Sequence, residues 1–261
     1  MVKLVATSVV RGSFQGESHG GVYLVDTDEI TAFQTVDWNK MDIDWRGRGW
    51  DRGLRGITFF DDRVFIAASD ELFVYTPKFE LITSYKNQYL KHCHEIFRFR
   101  DHIFITSTGF DSIVIFDVPK EKFVSAVHIH TNGFQFVAKN YNPNGDNGPL
   151  QINKLHLNNV FCSDDGFYVS GLNTEALLSV KGPKIGVAVT LPSGVHNARP
   201  FRDGVLFNDT RSDAVRYVSR EGQKAFHTPV FDPGALSHVG IDESNLARPD
   251  LAAAFAPFPT R

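Results

Sequence analysis

The chain is poor in the residues that would place it in several common classes. It has two cysteines in 261 residues, Cys93 and Cys162, too few for a disulfide framework. A single bridge between them is the alternative; buried free thiols, suited to a reducing cytoplasm, are the expectation. No run of about 18 apolar residues exists, so no membrane-spanning helix is expected. The N-terminal Met1–Ser8 alternates like a strand, and its apolar run is too short for a signal peptide. These features point to a cytoplasmic protein. Charge of one sign is lacking too: 27 basic and 30 acidic side chains leave −3. That balance gives no reason to expect a nucleic-acid or membrane partner and points to a small-molecule substrate. Methionine is rare at 2, while phenylalanine is abundant at 23. Aromatic and β-branched strands fit that balance better than helices.

What is present is a repeat. Histidines open similar segments at His94, His156, His196 and His238, and Arg55 opens a fifth. The spacing is 39 residues from Arg55 to His94, 40 from His156 to His196 and 42 from His196 to His238. From His94 to His156 it is 62, the excess lying in a polar insertion. A small hydroxyl residue follows 14 positions after each of four anchors: Ser69, Thr108, Ser170 and Thr210. Between anchor and hydroxyl lie a turn such as Asp61-Asp62 or Asp203-Gly204 and an apolar strand such as Ile103–Thr106. Further strands follow, as in Ile113–Phe116 and Lys122–Ser125.

Four short antiparallel strands at a period near 40 describe a β-propeller blade. The predicted fold is therefore all-β, a five-bladed propeller in one domain over 1–261. Its blades fall near 54–86, 93–130, 155–190 and 195–230, and the closing blade is shared between 236–246 and 1–35. Joining the chain ends this way removes two sheet edges. A six-bladed ring would need a sixth anchor, and none is visible. The Asn- and Gly-rich segment 131–153 reads as a long insertion loop on the face where the anchors open.

Equivalent positions of a circular repeat meet on its axis. Four imidazoles there suit a late first-row metal, Fe(II) first, with zinc, manganese or copper as alternatives. His94, His156, His196 and His238 are the expected ligands. The alternative is that they hydrogen-bond only to backbone or neighbouring blades. Arg55 is the fifth occupant. It either orients a substrate anion in bidentate fashion or pairs with Glu95 or Asp51. Glu95 is expected either in catalysis, orienting an imidazole, or between blades. The loop before Arg55 carries Arg48, Trp50 and Arg52, which either clamp an anionic or aromatic ligand or connect two blades. Asn158 and Asn197, beside anchors, are the remaining candidates for substrate contact.

Segments such as Arg52-Gly53-Leu54-Arg55-Gly56, His156-Leu157-Asn158-Asn159 and His196-Asn197-Ala198-Arg199-Pro200 resemble a poorly characterised group of bacterial β-propeller proteins. That resemblance covers most of the chain and implies the fold. The axial site is similar in geometry to the four-histidine iron centre of carotenoid cleavage oxygenases, by analogy only, since those propellers have seven blades. The expectation is a metal-dependent enzyme, first a nonhaem iron(II) oxygenase acting on a small anionic substrate. A metal-dependent hydrolase or lyase, and a non-catalytic sugar- or peptide-binding propeller, are the alternatives.

Overall fold

The computed structural model describes residues 3–9, 20–41, 43 and 53–227. Five antiparallel sheets follow one another around a ring, forming a five-bladed β-propeller. Blade 1 contains β1 (Lys3–Thr7), β2 (Gly21–Asp26) and β3 (Thr31–Asp37). Blade 2 runs through β4 (Leu54–Phe60), β5 (Arg63–Ala68), β6 (Glu71–Tyr75) and β7 (Leu81–Lys86). Blade 3 holds β8 (Cys93–Phe99), β9 (His102–Ser107), β10 (Ser112–Asp117), β11 (Lys122–Thr131) and β12 (Phe136–Tyr141). Blade 4 has β13 (Leu157–Ser163), β14 (Gly166–Gly171), β15 (Ala176–Lys181) and β16 (Lys184–Thr190). Blade 5 has β17 (Val195–Phe201), β18 (Gly204–Asp209), β19 (Ala214–Ser219) and β20 (Gly222–His227). The segment 236–246, expected to complete blade 1, lies outside the described residues. No helix among the described residues is long and apolar enough to cross a membrane.

Turn chemistry sets the hairpins. In blades 2, 3 and 5 the inner strand turns back through two residues, pairing Phe60 with Arg63, Phe99 with His102 and Phe201 with Gly204. The first turn residue is left-handed in each: Asp61 at φ 50°, Arg100 at 53° and Arg202 at 53°. Such turns match the twist of the strands they join.

The apolar residues do not form one core. Among the described residues they form four layers, each between neighbouring blades. Trp38 meets Phe73 edge-on at 5.0 Å between blades 1 and 2. Phe65, Ile105 and Phe116 fill the layer between blades 2 and 3. Leu157, Val169 and Ile129 pack between blades 3 and 4, and Leu177, Val195 and Phe207 between blades 4 and 5. Each fully buried side chain of this size stabilises the fold by about 1.5–3 kcal/mol. Cys93 and Cys162 are buried free thiols in two different layers, and burial pushes the Cys162 thiol up to about 12.

The insertion after blade 3 is more ordered than its composition suggests. Lys122–Thr131 continues past the expected strand end, and Phe136–Tyr141 pairs with it as a fifth strand. The Asn-rich stretch beyond is tied down around Tyr89. The Tyr89 hydroxyl donates to Gly145 O at 3.0 Å and accepts from Gly148 N at 2.8 Å, while Asn87 Nδ2 donates to Pro143 O at 3.0 Å. A tyrosine hydroxyl and an asparagine amide thus hold this stretch in place of a strand ladder.

Candidate metal centre

Each described inner strand carries an irregularity near its start. Leu54 pairs with Ala68, Cys93 with Ser107, Leu157 with Gly171 and Val195 with Asp209. One or two residues later the register slips, leaving extra residues opposite the partner strand. Such bulges re-aim side chains at the rim of a sheet. Register places Arg55, His94, Asn158 and His196 at one equivalent position. His156 is not among them. It lies two residues earlier, at the position of His92, and both have left-handed backbone, φ 53° and 51°. The alignment of anchors by histidine is therefore corrected in blade 4 by two residues. The hydroxyl equivalent to Thr108 is correspondingly replaced by Leu172, not matched by Ser170. The spacing of left-handed acidic residues after the second strand agrees: Asp111, Glu175 and Asp213, at φ 45°, 48° and 47°.

Despite the shift, three imidazoles converge. A ligating nitrogen from each of His94, His156 and His196 lies within 4.8 Å of the other two. Ring centroids are 5.3 Å apart for His94 and His156, and 6.4 Å for each of the other pairs. Nitrogens sharing one ion at about 2.1 Å lie roughly 3–3.5 Å apart, so small side-chain rotations close the cluster. His238, the fourth expected ligand, and Arg48, Trp50 and Arg52 lie outside the described residues.

His94 shows how the chain sets the tautomer of one of these imidazoles. Its Nδ1 lies 2.8 Å from His92 O and 2.7 Å from Thr108 Oγ1. A carbonyl only accepts, and Thr108 gives its own proton to Leu157 O. Nδ1 must therefore carry the hydrogen and donate it, which leaves the lone pair on Nε2. That Nε2 is buried and has no hydrogen-bond partner. Burial above all, with the Arg55 guanidinium second, holds the imidazole well below its usual 6.5. His94 is thus neutral at pH 7, with its lone pair on a buried nitrogen.

One short turn organises two of the three histidines. Thr108–Phe110 forms a 3-10 turn after β9, capped by Asp111. Thr108 contacts His94 and donates to the backbone of blade 4 at Leu157. Asp111 Oδ2 accepts from Lys154 N at 2.6 Å and Leu155 N at 2.9 Å, and Oδ1 from Leu157 N at 3.4 Å. These amides bracket His156, so one carboxylate fixes the left-handed backbone that aims its ring. Sequence reasoning missed Asp111. Its signal was a hydroxyl followed three residues later by aspartate, seen in Thr108…Asp111 and again in Thr210…Asp213.

The other candidates separate. Arg55 stands close enough to depress His94 and to oppose the rise of Glu95. Glu95 is held above the usual carboxylate range by burial, against the pull of Arg55 and Arg199. Asn158 is fully buried, and its Nδ2 donates to Val195 O at 2.9 Å; Asn159 Nδ2 donates likewise to Ala198 O. Both amides join blade 4 to blade 5, so the substrate contact expected of Asn158 gives way to a structural one. Asn197 is half-buried with a left-handed φ of 54°, a conformation that asparagine tolerates. His128 and His130 are half-buried, with rings stacked at 5.0 Å between centroids. Gly56 lets blades 2 and 3 meet here, since a Cβ would lie 2.5 Å from Ile96 N and 2.6 Å from His94 O.

No protein-family model and no curated protein matches the chain. Solved structures match it in fold. A Bacteroides caccae protein of unknown function is 8% identical over 85% of this chain and 70% of its own, with a TM-score of 0.53. A chain of the mitotic checkpoint complex is 8% identical over 85% of this chain and 72% of its own, at 0.50. Virginiamycin B lyase from Staphylococcus aureus is 14% identical over 70% of this chain and 72% of its own, at 0.46. At such identities the likeness is one of architecture. Activity has to be argued from the site itself.

Proposed function

We propose that this protein is a metal-dependent enzyme whose divalent ion is held by His94, His156 and His196. The observation that carries the reading is His94, a neutral imidazole locked by Nδ1–H donation with a buried, unpartnered Nε2. A structural histidine would satisfy both nitrogens; a ligand donates from one and coordinates with the other. The repeat spacing names His238, which lies outside the described residues, as the candidate for a fourth imidazole. Neutral donors leave the ion its full charge, and when bound it would supply Lewis acidity or a site for oxygen. Arg55 adds positive charge beside it, which draws an anionic substrate toward the site. Glu95, a carboxyl that burial biases toward its protonated form, holds or takes a proton next to the ligand set.

Within this class an all-imidazole donor set accommodates iron(II), which would bring oxygen-dependent chemistry. Glu95 favours the second reading, a hydrolase or lyase using zinc or manganese, because such reactions need a proton acceptor close to the ion. Metal analysis of the full chain purified anaerobically tests the proposal. About one equivalent of metal is expected, lost in His94→Ala and in His156→Ala. Oxygen consumption in the iron-loaded protein then separates the two chemistries. Metal-free protein whose stability no added metal changes would overturn the reading and leave a sugar- or peptide-recognising propeller.

A further inference from the structure

Beyond the bulges, a cavity of about 390 Å³ opens between the inner strands of blades 2, 3, 4 and 5. That is the size of a small-ligand site. Its lining includes Glu95, Arg98, Arg199, Phe59, Phe97 and Phe161. Register shows how the wall is built. Thr58, Phe97, Phe161 and Arg199 each pair seven residues onward, with Phe65, Phe104, Tyr168 and Leu206, so they occupy one tier. The repeat thus places two phenyl rings and a guanidinium at equivalent positions around a common space. Phe97 and Phe161 lie 4.9 Å apart with planes tilted by 54°, and Phe59 is left 51% exposed at the cavity wall.

The charge of this space is one-sided. Arg98 and Arg199 line it, and Glu95 is the one acid among the described lining residues. Two guanidinium groups against one carboxyl, with Arg55 acting on that carboxyl from outside the lining, leave a site that a small anion complements. Arg98 is partly committed: its Nε donates to Arg100 O at 2.9 Å and its guanidinium covers Phe60 at 4.7 Å. Arg199 is the cation placed in the same tier as the two rings. A ligand matching this wall has a flat apolar body and one carboxylate.

We propose that the cavity binds a small aromatic or conjugated monocarboxylate, its carboxylate on Arg199 and its apolar body against Phe97 and Phe161. This deepens the metal-enzyme reading by naming the substrate class, but binding itself requires no metal, so the two fail separately.

Calorimetry on the full chain, metal-free and metal-loaded, tests it with benzoate, benzamide and acetate as probes. Benzoate is expected to bind the metal-free protein with a Kd of about 1 mM or tighter. Benzamide, the neutral isostere, and acetate, which lacks the ring, should each bind at least about tenfold more weakly. Arg199→Gln should weaken benzoate by about tenfold or more. Phe161→Leu, an apolar change, should weaken benzoate and leave acetate unaltered, and it keeps the test informative if Arg199→Gln does not fold. Equal binding of benzoate and benzamide, equal binding of benzoate and acetate, or no benzoate binding overturns the assignment. A metal-free chain that binds benzoate and no metal would overturn the metal reading and leave this one standing.

Discussion

The bulges of blades 3 and 4 occupy the same register and solve the same problem differently. In blade 3 His94 sits in the bulge itself, and its ring is oriented by two oxygens, His92 O and Thr108 Oγ1. In blade 4 the bulge residue is Asn158, spent on holding blade 5, and the imidazole comes from His156 two residues before. A left-handed backbone, gripped by Asp111, carries that ring to the others. Spatial convergence therefore does not require sequence equivalence. A repeat delivers its strands to one axis, and local backbone geometry chooses which residue reaches it.

The hardest test of this comparison removes each imidazole in turn. If both serve one ion, His94→Ala and His156→Ala should each cost more than about 100-fold in metal affinity, measured by competition with a chelator. A loss confined to one of them would break the equivalence. Asp111→Asn comes next. With one oxygen replaced by an amide, the grip on the Lys154 and Leu155 amides weakens, and affinity should fall by about 10–100-fold, as for other residues that orient ligands. The cobalt-substituted spectrum should change with it, whereas a purely structural role would lower stability and leave the spectrum intact.

Asn158→Ala sharpens the contrast from the other side. Leaving Val195 O without its buried donor should destabilise the fold by about 1–3 kcal/mol in urea titrations while metal affinity stays unchanged. Acid sensitivity is the smallest effect. The unfolded chain protonates His94 near 6.5, whereas the folded chain resists until a lower pH. Below 6.5 the unfolded state binds more protons, so stability falls as pH falls; above 6.5 this histidine contributes nothing. His94→Gln should remove that part, giving a shallower decline than the unaltered metal-free protein between pH 6.5 and 5.

Much of this was legible in the residues. The turns Asp61-Asp62 and Arg202-Asp203, the apolar strands between them and the anchor spacing specified blades, because each is a local property repeated at fixed distance. The convergence of His94 and His196 followed from the same repeat. His156 was found for an incomplete reason: a matching letter at a near-matching spacing stood in for a register that is two residues different. Asp111 was invisible because its partners are backbone amides more than 40 residues away, and an amide leaves no mark in a sequence. Phe136–Tyr141 escaped because its strand is made by pairing with an extended β11, not by strong alternation of its own.

The sequence by itself determined the architecture and brought recurring imidazoles toward the axis, since period, turn residues and histidines are all written along the chain. Only the tertiary structure decided which nitrogen of His94 bears the proton, which residue of blade 4 supplies the ring, and which asparagine serves the fold. Those choices depend on hydrogen bonds between blades, whose partners are distant in the chain and meet only when the ring is assembled.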